Sequence, residues 1–256
     1  MKIKVLFVLL VILALGFDSA HSSVKPNIDG LYKFSGKLNN KIPIFLWFVV
    51  KDSVLKGEVT YLKTAKRIPI TIIGQITKDE EITVYEFTKD GSITGIYRGR
   101  FNTKSLMGNW YAPGSEKQLQ FNLATKDTLL APVDMTLKPV VVNGSYEYHF
   151  GKNGSEGGVD IKYVNADNYL IEMSCVTGAP ARNLASLETF KAKMLNNTIT
   201  FTAPETDCRY IIRPFNNFLV IDKITRNGEC GFGMGADIDG VFIKTSEVAT
   251  MGQVVR

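Results

Sequence analysis

Histidine is almost missing from this chain. Two occur in 256 residues, His21 and His149, and the first lies in an N-terminal leader. A serine hydrolase or cysteine protease needs an imidazole beside its nucleophile, so His149 would have to serve alone. Its parity against Tyr146, Tyr148 and Phe150 puts it on the outward side of a strand, where a surface role is expected. Neither half of the chain contains a Gly-x-Ser-x-Gly elbow. Cysteine is scarce too: Cys175, Cys208 and Cys230 have the spacing of no zinc finger or ribbon. Gly231-Phe232-Gly233-Met234-Gly235 is glycine-rich, but no helix start follows it, as a phosphate-cradling loop requires. The expectation is a chain without catalytic residues, metal or cofactor.

Apolar runs of membrane length are likewise absent after the first residues. Lys2 and Lys4 precede the apolar stretch Val5–Phe17, and small and polar residues follow from Asp18 to Ser23. That order describes a cleaved signal peptide over residues 1–22. The run is shorter than the roughly 20 residues a membrane span needs, and no cysteine near the exit suggests a lipoprotein. A secreted or periplasmic mature chain with no membrane span is expected. The formal charge is +5; removing Lys2, Lys4 and Asp18 takes away two positive charges and one negative and leaves +4. Lys63, Lys66 and Arg67 cluster, as do Arg98, Arg100 and Lys104. Acidic residues interleave elsewhere, so no dense stripe of the nucleic-acid-binding kind forms.

A helical period is missing almost throughout, and period-two alternation takes its place. Gly30, Tyr32, Phe34, Gly36 and Leu38 share one face, the mark of a half-buried strand. Ile42–Val50 is continuously apolar, which means burial on both faces or a tendency to aggregate. Strands are predicted at 54–62, 67–76, 81–88, 93–101, 106–111 and 117–123, separated by polar turns such as Asn39-Asn40 and Lys89-Asp90-Gly91. About eight strands at this spacing can close into a small barrel without edges. Glycines recur on the apolar face beside aromatics, at Gly57, Gly95, Gly99 and Gly108, where they permit coiling or close approach. The second half repeats the style, with strands predicted at 159–164, 169–176, 188–194, 198–202, 208–213, 218–224 and 240–244. Residues 180–190 could instead hold a short helix. The fold expected is all-β, two tandem small antiparallel up-and-down barrels: residues 24–127, a linker at 128–142, residues 143–247, and a tail at 248–256.

In the second half, Val176-Thr177-Gly178-Ala179-Pro180, Cys208, Cys230-Gly231-Phe232-Gly233 and Asp239-Gly240-Val241-Phe242-Ile243-Lys244 resemble a domain of uncharacterised secreted bacterial proteins. The resemblance implies a Cys208–Cys230 disulfide and leaves Cys175 outside the pattern. On the residues alone, all three pairings remain open. It also implies an envelope role, since such domains occur beside lysozyme-inhibitor-like modules. The first half is similar to calycin barrels, the lipocalin and avidin class, at Thr94-Gly95-x-Tyr97 and Gly108-x-Trp110. The biotin-contacting pattern does not map across, so that likeness carries no ligand.

Three functions follow as expectations. The first is an exported, non-catalytic protein binding a small hydrophobic ligand or an envelope protein, with Tyr32, Phe34, Tyr61, Tyr97, Phe101 and Trp110 filling the first barrel or lining a pocket in it. The second is an inhibitor of a lysozyme or other secreted hydrolase, against which the positive net charge argues. The third is a carboxylate-dependent hydrolase, for which Asp237, Asp239, Glu80 and Glu81 are the candidates. Each of those acids is also well placed to occupy a turn.

Overall fold

The structure is a computed structural model and describes residues 28–126, 142–225 and 230–252. The signal peptide expected at 1–22 and the linker expected at 128–142, apart from Val142, lie outside the described residues.

Eight strands make the first barrel: β1 (Gly30–Leu38), β2 (Ile42–Lys51), β3 (Val54–Tyr61), β4 (Ile70–Ile76), β5 (Glu81–Phe87), β6 (Ile93–Phe101), β7 (Ser105–Tyr111) and β8 (Gln118–Thr125). Each pairs antiparallel with the next, and β8 closes on β1 from Phe34↔Thr125 to Leu38↔Phe121. The second barrel repeats this order with β9 (Gly144–His149), β10 (Glu156–Asn165), β11 (Asn168–Val176), β12 (Leu184–Leu195), β13 (Thr198–Thr202), β14 (Arg209–Phe215), β15 (Phe218–Lys223) and β16 (Gly240–Ser246). It closes through β16 and β9, at Ile243↔Glu147. The all-β, two-barrel expectation is therefore met.

Local chemistry explains the tight turns. Asp52-Ser53 and Asn196-Asn197 each join two strands with both central residues at positive φ, 50° and 69° in the first and 51° and 60° in the second. Two-residue hairpins of this handedness match the twist of the flanking strands, and Asn and Asp tolerate the left-handed region.

Each barrel has its own core, and a third apolar cluster joins them. Val54, Ile73, Phe87 and Ile93 of the first barrel pack with Phe215, Phe218, Val220, Val241 and Ile243 of the second. This contact explains why β15 is apolar on both faces. Phe218, Leu219, Val220 and Ile221 are all buried, because odd and even residues meet different cores, the barrel interior and the neighbouring barrel. Polar contacts rim the cluster. Gln75 Nε2 donates to Asp222 Oδ1 at 2.7 Å, Arg213 pairs with Asp222 at 2.7 Å, and Arg213 Nη1 donates to the Asp52 carbonyl at 2.9 Å.

Three local expectations need correction. Ile42–Val50 is only partly buried on both faces: Ile44, Leu46, Phe48 and Val50 point inward, while on the outside Val49 is buried and Phe45 and Trp47 remain half-buried. Residues 180–190 form no helix, because the outward charges and inward Ala185 and Leu187 suit strand β12. Ile93, which strict alternation over 93–101 would put on the face of Tyr97 and Phe101, leaves that face. A register irregularity between Glu86 and Phe87, opposite β6, turns it into the inter-barrel cluster.

Candidate functional site

The first barrel is filled by its own rings. Tyr32, Phe34, Phe48 and Phe101 are essentially inaccessible and pack on one another, with centroids 4.9 Å apart for Tyr32–Phe101 and 5.6 Å for Phe34–Phe48. Edge-on and offset arrangements of this kind are the favourable ones for aromatic quadrupoles. The Tyr32 hydroxyl is satisfied by the Ile28 carbonyl at 2.9 Å. Tyr97 stacks edge-on to Phe121 at 5.4 Å. Tyr61 and Trp110 pack against this core and are only partly buried.

What Tyr61, Tyr97 and Trp110 share is Glu86, a carboxylate that is 2% exposed. Its Oε1 accepts from the Tyr61 hydroxyl at 2.5 Å, the Tyr97 hydroxyl at 2.8 Å and the Trp110 indole N–H at 3.3 Å, while Oε2 accepts from Thr94 at 3.2 Å. Neutral donors thus satisfy the hydrogen-bonding capacity of this buried carboxyl group. Burial, and then the charge of Glu86, push the Tyr61 and Tyr97 phenols far above their ordinary range. Both phenols stay protonated and act as donors. Sequence reasoning missed Glu86, although it continues the inward series Ile82, Val84 on β5.

At one end of the second barrel, the carboxylate candidates Asp237 and Asp239 lie together in the segment before β16. Asp237 accepts from the Tyr210 hydroxyl at 2.8 Å and pairs with Lys223 at 2.9 Å. Both acids line a pocket of about 160 Å³ with Tyr148 and Cys175. Asp239 sits at its rim. Lost hydration and then the neighbouring Asp237 raise its carboxyl, with Lys223 opposing. Cys208 and Cys230 form the disulfide, with Cα atoms 5.3 Å apart. Cys175 is free and buried, and burial pushes its thiol up to about 12, so it is a neutral core group and no nucleophile. Glu80 and Glu81 are exposed at a hairpin, away from these acids in the strand order.

A larger cavity lies elsewhere, on the outer flank of the second barrel. It measures about 720 Å³ and crosses β9 to β12. Register builds its floor: Gly158 pairs with Glu147 on one side and Ser174 on the other, and Ser174 pairs with Ser186. A row of Gly, Ser and Ser between bulkier neighbours leaves a trench running across the strands. A Cβ at Gly158 would meet nothing nearer than the Tyr146 carbonyl at 4.0 Å, so the missing side chain is what keeps the floor open. One wall is Ser145, Asp160 and Glu172, which stand in register, followed by Glu188 and Thr189 at a bulge in β12. The other is His149, Glu156 and Val176.

The chain end roofs part of the trench. Thr250 N–H donates to Asp160 Oδ1 and Gly252 N–H to Glu172 Oε2, each at 3.0 Å. The segment expected as a tail is therefore strapped to the barrel as far as it is described. His149 bonds Glu147 at 3.2 Å and lies 3.7 Å from Glu156, which also pairs with Arg182. On the floor, Ser174 Oγ is shielded from solvent and has no hydrogen-bond partner.

Sequence reasoning missed this trench. It placed His149 on the surface, correctly, but could not see which outward residues the register would align beside it. Among the described residues, five carboxylates line the cavity, Glu147, Glu156, Asp160, Glu172 and Glu188, and no Lys or Arg does. Among the described residues no cluster of His, Cys, Asp and Glu is arranged to hold a metal ion. Comparison of the chain with protein-family models, curated proteins and solved structures finds no match.

Proposed function

We propose that this chain is an exported, non-catalytic binding protein that takes a small ligand in the trench on the flank of its second barrel. The observation that carries the reading is the trench itself. A volume of about 720 Å³ falls within the range of small-molecule sites, roughly 300–1,000 Å³. Its floor is also left open by a glycine at a position where the backbone does not require one. The packed rings of the first barrel favour this site over the barrel interior. Export is supported by the N-terminal signal pattern and by the Cys208–Cys230 disulfide, which suits an oxidising compartment.

Native mass spectrometry of the purified protein tests the reading. A Gly158→Ile variant fills the floor without straining the strand. The wild type is expected to retain or take up a small molecule that the variant does not. Equal uptake by both proteins would move the site away from the trench.

Inhibition of a basic secreted hydrolase is the second reading, favoured by the five carboxylates on this flank despite the positive net charge. A lysozyme turnover assay decides it: slowing by the wild type that Glu188→Gln weakens supports inhibition, and unchanged turnover at micromolar excess removes it.

A further inference from the structure

We infer that one end of the first barrel, the end holding the turns 39–41, 62–69, 88–92 and 112–117, docks on an anionic lipid bilayer. Up-and-down strand order puts these four turns together and sends 52–53, 77–80 and 102–104 to the opposite end. Hydrogen bonds tie neighbouring turns into one surface. Asn39 N–H donates to the Gln120 carbonyl at 2.6 Å, which fixes the first turn to β8 beside Lys117. Leu62 N–H donates to the Pro43 carbonyl at 2.9 Å, which fixes the second to β2 beside Lys41. Lys41, Lys63, Lys66, Arg67 and Lys117 are thereby gathered at this end, and all are exposed.

Charge is divided unequally between the two ends. The docking end carries those cations and Lys89 against Asp90 and Glu116 alone. The turns at the opposite end carry Asp52, Asp79 and Glu80 against Lys78 and Lys104, and Lys51 there is paired with Asp29 at 2.7 Å. Among the described residues no Asp or Glu pairs with Lys41, Lys63, Lys66, Arg67 or Lys117. Unpaired and solvated, these cations keep their field for a partner. Each lysine or arginine brought near an anionic bilayer raises partitioning about fivefold.

The 62–69 turn supplies an independent sign, and it selects a bilayer over a soluble polyanion. Ile68 is 63% exposed and stands between Arg67 and Pro69, which are exposed as well. Its loop is held by its own hydrogen bonds. The Thr64 N–H and hydroxyl both donate to the Tyr61 carbonyl, at 3.3 and 2.8 Å, and Arg67 N–H donates to the Thr64 carbonyl at 3.3 Å. An ordered turn that presents isoleucine to water beside three cations suits the boundary between headgroups and acyl chains, where both kinds of side chain are accommodated. A nucleic acid or acidic polysaccharide would use the cations and leave Ile68 in water.

Vesicle flotation of the mature protein, residues 23–256 without the apolar leader, tests the inference. Vesicles of phosphatidylglycerol and phosphatidylcholine in equal parts are expected to carry it up the gradient, and vesicles of phosphatidylcholine alone are not. Binding should fall as salt is raised. Lys66→Gln together with Arg67→Gln should weaken it about 25-fold, two charges at about fivefold each. Ile68→Ser should weaken it about threefold to tenfold, the effect of an isoleucine half withdrawn from water. Lys78→Gln together with Lys104→Gln removes the same charge from the opposite end and should leave binding unchanged.

Flotation with neither vesicle, or equally with both, would overturn the inference. An equal loss from the Lys78 and Lys104 pair would show a net-charge effect and overturn it too. Tighter binding to heparin than to the vesicles, with Ile68→Ser without effect, would overturn it in favour of a soluble polyanion.

Discussion

Gly95 faces Glu86 directly across β5 and β6, and its hydrogen side chain is what makes room for that carboxylate. A Cβ at position 95 would lie 2.6 Å from Glu86 Oε2 and 2.4 Å from the Trp110 indole nitrogen. The Gly-x-aromatic rhythm at Gly95-x-Tyr97 is here a packing device for a buried polar cluster. Gly99 and Gly108 serve the same hairpin differently. They pair with each other, and a Cβ on either would meet backbone of the opposite strand within 3.0 Å.

Gly95→Ala should therefore destabilise the protein by about 1–3 kcal/mol, the usual range for overpacking. Glu86→Leu should lose a similar or larger amount, since it takes the shared acceptor from the buried Tyr97 phenol, the partly buried Tyr61 phenol and the Trp110 indole N–H. Equilibrium unfolding in guanidinium chloride measures both. A neutral result at Gly95 would mean that Trp110 can move aside.

Alkaline pH should unfold the protein cooperatively. The phenols of Tyr61, Tyr97, Tyr146, Tyr148 and Tyr210 all lie well above the ordinary value of 10.0, each chiefly through burial. The folded state thus holds these protons more tightly than the unfolded chain. Stability is fully present below pH 10 and declines as pH rises above it, because the unfolded chain then ionises first. Phenolate absorbance should rise for these residues together with loss of the near-ultraviolet circular dichroism signal. Gradual ionisation ahead of unfolding would contradict the burial argument.

The two barrels should melt as one unit. Phe218 sits in the cluster shared between them, is 1% exposed and has Lys56 Nζ 5.4 Å above its ring. A single calorimetric transition is expected for the wild type. Phe218→Ala should lower stability by about 3–5 kcal/mol and separate the transition in two. Two transitions in the wild type would show that the shared cluster is too weak to couple the barrels.

Removing the disulfide with Cys208→Ser and Cys230→Ser should lower stability by about 3 kcal/mol, from the 22-residue separation of the partners and the chain entropy it restrains. Cys175 should stay unreactive to a thiol reagent at pH 8 in the folded protein and react at once in denaturant. Fast native labelling would contradict its burial and its raised pKa.

Alternation and turn chemistry made the two barrels legible in the sequence, since period two and Asn- or Asp-based hairpins leave little other choice. The aromatic set was only half legible. Periodicity put Tyr32, Phe34, Tyr97 and Phe101 inside, but whether rings meet each other or a ligand depends on distances across the barrel. The trench was not legible at all. Gly158, Ser174 and Ser186 lie in three different strands, and only the register brings them into one row. The continuously apolar β15 could be read as doubly buried but not as facing a second barrel, because a hydrophobic run does not name its neighbour.

Ligand binding in the trench is tested most directly by titrating isotope-labelled protein with a mixture of small organic fragments of positive, neutral and negative charge, followed in amide proton–nitrogen correlation spectra of the wild type and of Gly158→Ile. The expected result is saturable shifts at Glu147, Gly158, Ser174 and Ser186 in the wild type that vanish in a variant still folded and no less stable. Shifts gathered around Tyr61 and Trp110 instead, or trench shifts that persist in Gly158→Ile, would contradict it.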